Sequence, residues 1–351
     1  MLKSHAVKAI RHSVFVLCML CLFLFACEGE EKTPASSAQP AQQEPLVGLL
    51  LYRHDDAYIR LVGEHITSAL KDRVVLETRA AGYDQLTQNE QIDTLIAQGA
   101  KALMINLVES QAAAHVLDKV KRAGIPAVFF NREPDLVMLE SYKDKACFVG
   151  TNVADAGKLQ GDIIARLWEK HPEYDRNHDG MIQFVMFQGD PDNPEAVART
   201  EYSVKQAVEK GVAMSQLGQT YLCAWDEKLA TQAMALAWAE FGDAIELVIA
   251  NNDAMALGTI HALNQVGYNE PGNKERFIPV VGVDALDAAV QAVKDGRMSA
   301  TVVQDAKAMA DAVAALVLNS LSGKAFLDGT AYEWDNNTPA VRIPYAPFGG
   351  E

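Results

Sequence analysis

Two groups of residues in this sequence have types and spacing that could do chemistry. The first is the run Asp175-Arg-Asn177-His-Asp179-Gly180-Met181-Ile182-Gln183. Oxygen-bearing side chains stand at its first, third and fifth positions, glycine at the sixth and an apolar residue at the eighth. That is the spacing of a calcium-binding loop, in which hard cations take carboxylate, amide and carbonyl oxygens. Met181 would give only its backbone carbonyl. The twelfth position is Met186 rather than a chelating glutamate, so the helix–loop–helix form of the site is excluded. The second group is a set of amides and carboxylates, each just past a short apolar run: Asp55-Asp56, Asn106, Asn131, Asn251-Asn252-Asp253 and Asp284. Any one of them could be only a helix N-cap. Five such clusters at the ends of five apolar runs point instead to convergence on a crevice. Catalytic motifs are missing. There is no His-Glu-x-x-His, no Gly-x-Ser-x-Gly and no Gly-x-x-x-x-Gly-Lys-Ser/Thr. Asp56 and Asp284 as a glycosidase acid/base pair is the one enzymatic alternative.

The elements that must position these groups are legible. Continuous apolar runs lie at 47–51, 102–105, 127–130, 182–187, 247–250, 279–283 and 300–303, with amphipathic stretches at 59–70, 86–98, 112–122, 155–170 and 254–266. Strands without polar alternation, separated by helices, predict parallel sheets covered on both faces. The fold class is α/β, doubly wound. A body of roughly 300 residues exceeds what one core usually serves, so two domains are expected.

The N-terminus addresses the compartment. Lys3, Lys8 and Arg11 precede an almost wholly apolar stretch over 14–26, which suits a signal peptide and is short for a membrane span. Leu24-Phe25-Ala26-Cys27 resembles a bacterial lipoprotein processing site, with Cys27 as the acylated residue. Residues 1–27 therefore read as a lipoprotein signal peptide. The Glu-, Gln-, Pro-, Ser- and Ala-rich residues 28–45 read as a disordered tether. The chain carries 31 Lys and Arg against 46 Asp and Glu, a net charge of −15. That balance argues against nucleic acid and against adsorption to anionic lipid. Cys147 and Cys223 read as buried thiols.

The segments Tyr52-Arg-His-Asp-Asp56, Gln91-Ile-Asp93, Ile105-Asn-Leu-Val108, Val128-Phe-Phe-Asn131, Val149-Gly-Thr151, Gly180-Met-Ile-Gln-Phe-Val185, Val248-Ile-Ala-Asn-Asn-Asp-Ala-Met-Ala256, Val281-Gly-Val-Asp-Ala285 and Val341-Arg-Ile-Pro-Tyr345 carry a family likeness. In that order they resemble the periplasmic galactose/glucose-binding proteins of sugar uptake and chemotaxis. The resemblance implies two doubly wound parallel-sheet lobes joined by a three-crossing hinge, the periplasmic binding protein type I fold. It puts the crossings near Gly150-Thr151, 303–305 and Val341. The lobes would then be 46–149 plus 305–340 and 152–303 plus 341–351, closing about a hinge on the ligand.

A hexopyranose needs aromatic plates for its apolar faces and amides, carboxylates and a guanidinium for its hydroxyls. By resemblance Tyr58 and Trp225 are the plates. Asp56, Asn106, Asn252, Asp284 and Arg199 are the rim, Arg199 offering a planar fork. Asn193, Glu195 and Gln304 stand where the family shows His, Asp and Asn. The same likeness completes the calcium loop with Glu246, giving Asp175, Asn177, Asp179, Met181 through its carbonyl, Gln183 and Glu246. It implies a monomeric, Cys27-anchored receptor on the periplasmic side of the envelope. Such a receptor hands D-glucose or D-galactose to an ABC permease, with a chemoreceptor as a further partner. A receptor for a pentose or other polyol is the alternative.

Overall fold

The computed structural model describes residues 44–350. The expected signal peptide, the expected Cys27 anchor and all but the last two residues of the expected tether lie outside the described residues. From Leu46 the chain lays down β1 (Leu46–Leu51), β2 (Val75–Ala80), β3 (Ala102–Ile105), β4 (Ala127–Phe130) and β5 (Ala146–Gly150). It then builds β6 (Met181–Gln188), β7 (Ala213–Gln216), β8 (Tyr221–Leu222), β9 (Leu247–Ala250), β10 (Val280–Asp284) and β11 (Ala300–Gln304). Two short strands finish it, β12 (Ala340–Arg342) and β13 (Tyr345–Gly349). The first sheet has the order β12-β5-β4-β3-β1-β2, and the second β13-β11-β10-β9-β6-β7 with β8 beside β6. Every pairing is parallel except β11 with β13.

The apolar runs become central strands because both of their faces are covered. In β1, Val47, Leu49 and Leu51 pack with the helices Ala57–Leu70 and Ala306–Leu321. Leu50 faces the opposite layer, with Ile92, Leu95, Val116 and Leu117. This is the period-two signature of a strand buried on two sides. The strands that no apolar run announced include β2 and β7, sheet-edge strands whose residues are part-exposed. Cys147 and Cys223 sit buried and unpaired in the cores of different lobes.

The lobes are connected three times: between Gly150 and the helix Asp155–Lys170, between Gln304 and the helix Ala306–Leu321, and between β12 and β13. The third crossing falls later than Val341. Val341 pairs with Val149 and Arg342 with Gly150, so both residues extend the first sheet and the chain changes lobe at Ile343-Pro344. The Arg342 guanidinium also donates to Thr151 O (2.7 Å) and Asp335 Oδ2 (2.9 Å), and pairs with Glu133, which ties the first and third crossings together. The lobes are closed. Across the mouth, Arg53 Nη1 donates to Ala224 O (3.3 Å), and Asp190 meets Arg132 Nη1 (3.4 Å) and the Tyr83 hydroxyl.

Candidate functional site

Between the carboxyl ends of the two sheets lies a narrow cavity, with about 340 Å³ of space between atoms when the part open to solvent is counted. Its wall brings together nine of the ten residues expected there: Asp56, Tyr58, Asn193, Glu195, Arg199, Trp225, Asn252, Asp284 and Gln304. Each is placed by its element. Asp56, Asn193 and Asn252 are the N-caps of the helices Ala57–Leu70, Pro194–Glu209 and Asp253–Gln265. The cap geometry aims them inward while one oxygen accepts a backbone N–H: Ile59 N at 2.8 Å, Glu195 N at 2.8 Å and Met255 N at 3.0 Å. Capping and cavity lining are one arrangement here, since these helices start at the strand ends. The carboxamide nitrogens of Asn193 and Asn252 have no protein partner among the described residues.

Asn106 is the exception. It is fully buried behind the wall, accepting from Tyr52 N (3.3 Å) and donating to Phe130 O (3.3 Å) and Asn131 Oδ1 (3.1 Å). Asn131 takes the place assigned to it, held by Asn106 from behind. With it come Arg132, Tyr52 and Ile59, which also line the cavity. Asn131 was visible in the sequence as a strand-end amide. Nothing there marked Arg132, which packs on the face of Tyr52, its guanidinium carbon 3.9 Å from the ring centroid.

The cavity concentrates unsatisfied donors. Arg132 Nη2, Arg199 Nε and Gln304 Nε2 are buried without a hydrogen-bond partner, and all three belong to wall residues. Buried polar groups are normally paired, so unpaired ones at a cavity mark where a ligand's acceptors belong. Arg199 is otherwise fully engaged. Nη1 donates to Asn251 O (2.8 Å), and Nη2 to Glu195 Oε2 (3.2 Å), Gln304 Oε1 (2.8 Å) and Tyr345 Oη (3.0 Å). Asp284 supplies the complementary acceptor. It stands at φ 122°, an unusual backbone conformation for aspartate, and among the described residues its carboxyl group has only the distant Arg199 Nη1 (3.8 Å) as a cationic partner. Backbone strain of this kind collects at functional sites. Burial raises its pKa well above the usual range, against the pull of Arg199 and reinforced by Asp253, Asp56 and Glu195.

Apolar walls face these groups. Tyr58 and Trp225 are both nearly buried, at 5% and 9% exposure, yet both contribute cavity surface. Trp225 lies against Gly189, where a Cβ would come within 2.4 Å of the indole. Only glycine permits that approach.

Beneath the site, Asp253 is fully buried. Its oxygens accept from Thr301 Oγ1 (2.6 Å) and Leu286 N (2.9 Å). Burial pushes its carboxyl up to about 7 despite these hydrogen bonds. The unfolded value is 3.8, so the folded state holds the extra proton and its contribution to stability falls as pH rises from about 4 to about 7. Asn in this place can give its oxygen to Leu286 N and its amide to Thr301 Oγ1. Asp253→Asn should therefore flatten the decline in melting temperature between pH 5 and pH 8. An unchanged slope would show that Asp253 ionises normally in the fold.

The loop after the helix Asp155–Lys170 gathers the second set. Asp175 accepts from Asp179 N and Gly180 N, and Asp179 from Met181 N (2.8 Å) and from the amides of Asn177 and Gln183. The buried carboxylate of Glu246 reaches the loop at Arg176 N (2.7 Å) and Gln183 N (3.1 Å). Among the described residues no group of three or more His, Cys, Asp and Glu is arranged as a metal site by itself. The set draws also on two amides and a backbone carbonyl. None of Asp175, Asp179 and Glu246 has a cationic side-chain partner among the described residues. Carboxylates, amides and a carbonyl are the hard oxygen donors that calcium takes, so by type the donor set fits that ion, although the three carboxylates are not gathered into one group.

Two lobes closed on a polar cavity partly walled by aromatic rings have the form of a receptor for a small solute. The chain belongs to the family described as periplasmic binding protein domain, whose profile matches residues 47–325. It is 36% identical over 304 residues to the D-galactose/methyl-galactoside binding periplasmic protein MglB of Haemophilus influenzae, covering 85% of this chain and 88% of that protein. A putative rhizopine-binding protein of Rhizobium meliloti is 30% identical over 265 residues, 74% of this chain and 79% of that one. Among solved structures, an ABC transporter solute-binding protein from Bacillus halodurans with bound myo-inositol superposes with a TM-score of 0.71 at 24% identity, covering 89% of this chain and 96% of that one. One from Clostridium phytofermentans with bound β-D-glucose gives 0.68 at 21%, covering 87% and 94%. These likenesses carry the type I fold. The chain is a periplasmic solute-binding protein and not an enzyme.

Proposed function

We propose that this protein captures D-glucose or D-galactose between its lobes and delivers the sugar to an ABC permease. The observation that carries the reading is the pairing of opposites around one cavity. Unpaired donors on Arg132, Arg199 and Gln304 share one cavity wall with the Asp284 carboxyl group, with Tyr58 and Trp225 supplying apolar surface. A sugar hydroxyl both donates and accepts, so a ring of hydroxyls satisfies both kinds of group at once. The 36% identity to a galactose/methyl-galactoside binding protein supports a hexose. Glu195 is turned toward Arg199 and Thr151, so it positions the arginine while Asn193, Asn131 and Asn252 offer amides to the ligand. The competing reading is another polyol. Its support is the resemblance to rhizopine-binding and xylitol-binding proteins.

Isothermal calorimetry with D-glucose, D-galactose, D-ribose and D-xylose separates the two. Heat from a hexose at micromolar protein, with weaker response to the pentoses, supports the proposal. No heat from either hexose at millimolar concentration removes it.

The proposal includes the envelope setting. Cys27 carries the lipid anchor, the tether holds a monomeric body off the membrane, and a permease, with a chemoreceptor as second reader, docks on the closed form. It also includes one structural calcium ion held by Asp175, Asn177, Asp179, the Met181 carbonyl, Gln183 and Glu246. Calcium binds the folded lobe and not the unfolded chain, so it stabilises by mass action, by about 4 kcal/mol at a thousandfold excess over Kd. Excess chelator should then lower the melting temperature by on the order of 10 °C. Glu246→Gln should melt low with or without chelator. Equal melting temperatures for the wild type in calcium and in chelator would show that the loop holds no ion.

A further inference from the structure

All three crossings between the lobes send a polar group to one buried cluster, and that cluster includes the wall residues Arg199 and Glu195. Gln304, at the second crossing, accepts from Arg199 Nη2 (2.8 Å). Thr151, at the first, donates its hydroxyl to Glu195 Oε1. Tyr345, just after the third, accepts from Arg199 Nη2 (3.0 Å) and donates to Thr151 Oγ1 (3.0 Å). Arg199 in turn donates to Glu195 Oε2 (3.2 Å), which closes a ring of four side chains: Arg199 to Tyr345 to Thr151 to Glu195 and back. Every hydroxyl in the ring gives one hydrogen bond and receives one, the arrangement in which neighbouring bonds polarise one another. Thr151 is 1% exposed, and neither it nor Tyr345 lines the cavity.

We infer that Tyr345 and Thr151 are positioning residues that couple the hinge angle to the arginine–glutamate pair of the cleft. This rests on the sugar-receptor reading for its affinity readout alone. The crossings are the segments that must rotate when the lobes part, because the rest of each lobe is a packed sheet and its helices. Thr151 is the ring's member on a crossing, whereas Tyr345 and Gln304 pair with each other in the second sheet where the other two crossings meet it, so in the closed arrangement described here the ring ties the first crossing to the second lobe. Rotation of Thr151 relative to that sheet breaks at least one of its bonds, to Tyr345 or to Glu195. The ring therefore favours closure and holds the Arg199 fork at its working orientation in the closed state. Without it, the guanidinium loses a partner and the closed state loses part of its advantage over the open one.

The test uses two variants that keep shape and remove a hydroxyl, Tyr345→Phe and Thr151→Val, with Thr151→Ser as the variant that retains it. Binding of D-galactose and D-glucose is followed by stopped-flow fluorescence. Lobe separation is followed by energy transfer between dyes at Glu90→Cys and Lys228→Cys, with and without sugar. The expected result is a Kd raised about tenfold in the first two variants. The rise should come from faster dissociation with association little changed, and the sugar-free protein should shift toward greater lobe separation. Thr151→Ser should behave as wild type. Tyr345→Phe and Thr151→Val with wild-type dissociation rates and wild-type lobe separation would overturn the inference. If the wild type binds neither hexose, the sugar assignment fails, while the sugar-free lobe separation still decides the coupling.

Discussion

Trp225→Ala is expected to weaken binding of the preferred hexose roughly a hundredfold, because the indole supplies the flat apolar surface that the sugar's C–H face covers. Loss of a buried aromatic contact of this kind costs about 3 kcal/mol from area and ring interaction, and 2.7 kcal/mol is about a hundredfold in Kd. The position has a second duty. Trp225 belongs to the core cluster of the second lobe and lies on Gly189, so its removal also opens a cavity behind the wall. A truncation of that kind costs about 3 kcal/mol of stability, which lowers the melting temperature by several degrees. Both losses are expected, and they separate by temperature. Calorimetry at 15 °C, where the variant is still folded, should show the full loss of affinity. Wild-type affinity under those conditions would make Trp225 a core residue alone.

The second large effect is expected at Arg199. Arg199→Met removes the cation beside Glu195 and Asp284, both buried, and takes the donor from Gln304 Oε1, Tyr345 Oη and Asn251 O. Breaking a buried pair from one side costs about 3–5 kcal/mol, since the remaining charge is left uncompensated. Binding should fall below detection. Arg199→Lys is the sharper variant. It keeps the charge, but an ammonium cannot present two nitrogens in a plane to Asn251 O on one side and Gln304 and Tyr345 on the other. It should recover much of the stability and little of the affinity, with Kd still raised about a hundredfold. Equal affinity for lysine and arginine at this position would mean that charge alone is recognised.

The sequence displayed the central strands because burial on both faces leaves no polar alternation to obscure them. It did not display β2 or β7, whose edge positions leave part of each strand exposed. Strand-end polar residues located the cleft, but could not rank neighbouring strands. Asn106 and Asn131 look alike in sequence, both asparagines directly after an apolar run. The difference is made by the chain around them. The helix Gln85–Ala97 covers Asn106, with Gln88 Nε2 donating to its carbonyl (2.9 Å), while a positive φ of 62° turns Asn131 outward. Arg132 follows that turn into the cavity wall, a consequence of one backbone angle that composition and spacing do not encode.

The same limit applied at the hinge. Val341-Arg-Ile-Pro-Tyr345 announced a crossing, yet which residue still pairs with β5 depends on register, and register places Val341 and Arg342 in the first sheet. The ring of Arg199, Tyr345, Thr151 and Glu195 joins positions up to 194 residues apart. Within that ring only the four-residue spacing of Glu195 and Arg199, one helical turn, is local in the sequence.

The account stands on one spatial claim: a pyranose lies between Tyr58 and Trp225 when the lobes are shut. A crystal structure of the body from Leu46 onward, grown with D-galactose or D-glucose, tests it directly. The expected density is a six-membered ring in the cavity, with Asp284, Asn252 and the Arg199 fork within 3.2 Å of its hydroxyls, about the limit of a good hydrogen bond. A closed protein with the sugar absent from that cavity, or with both rings turned away from the ligand, would contradict it.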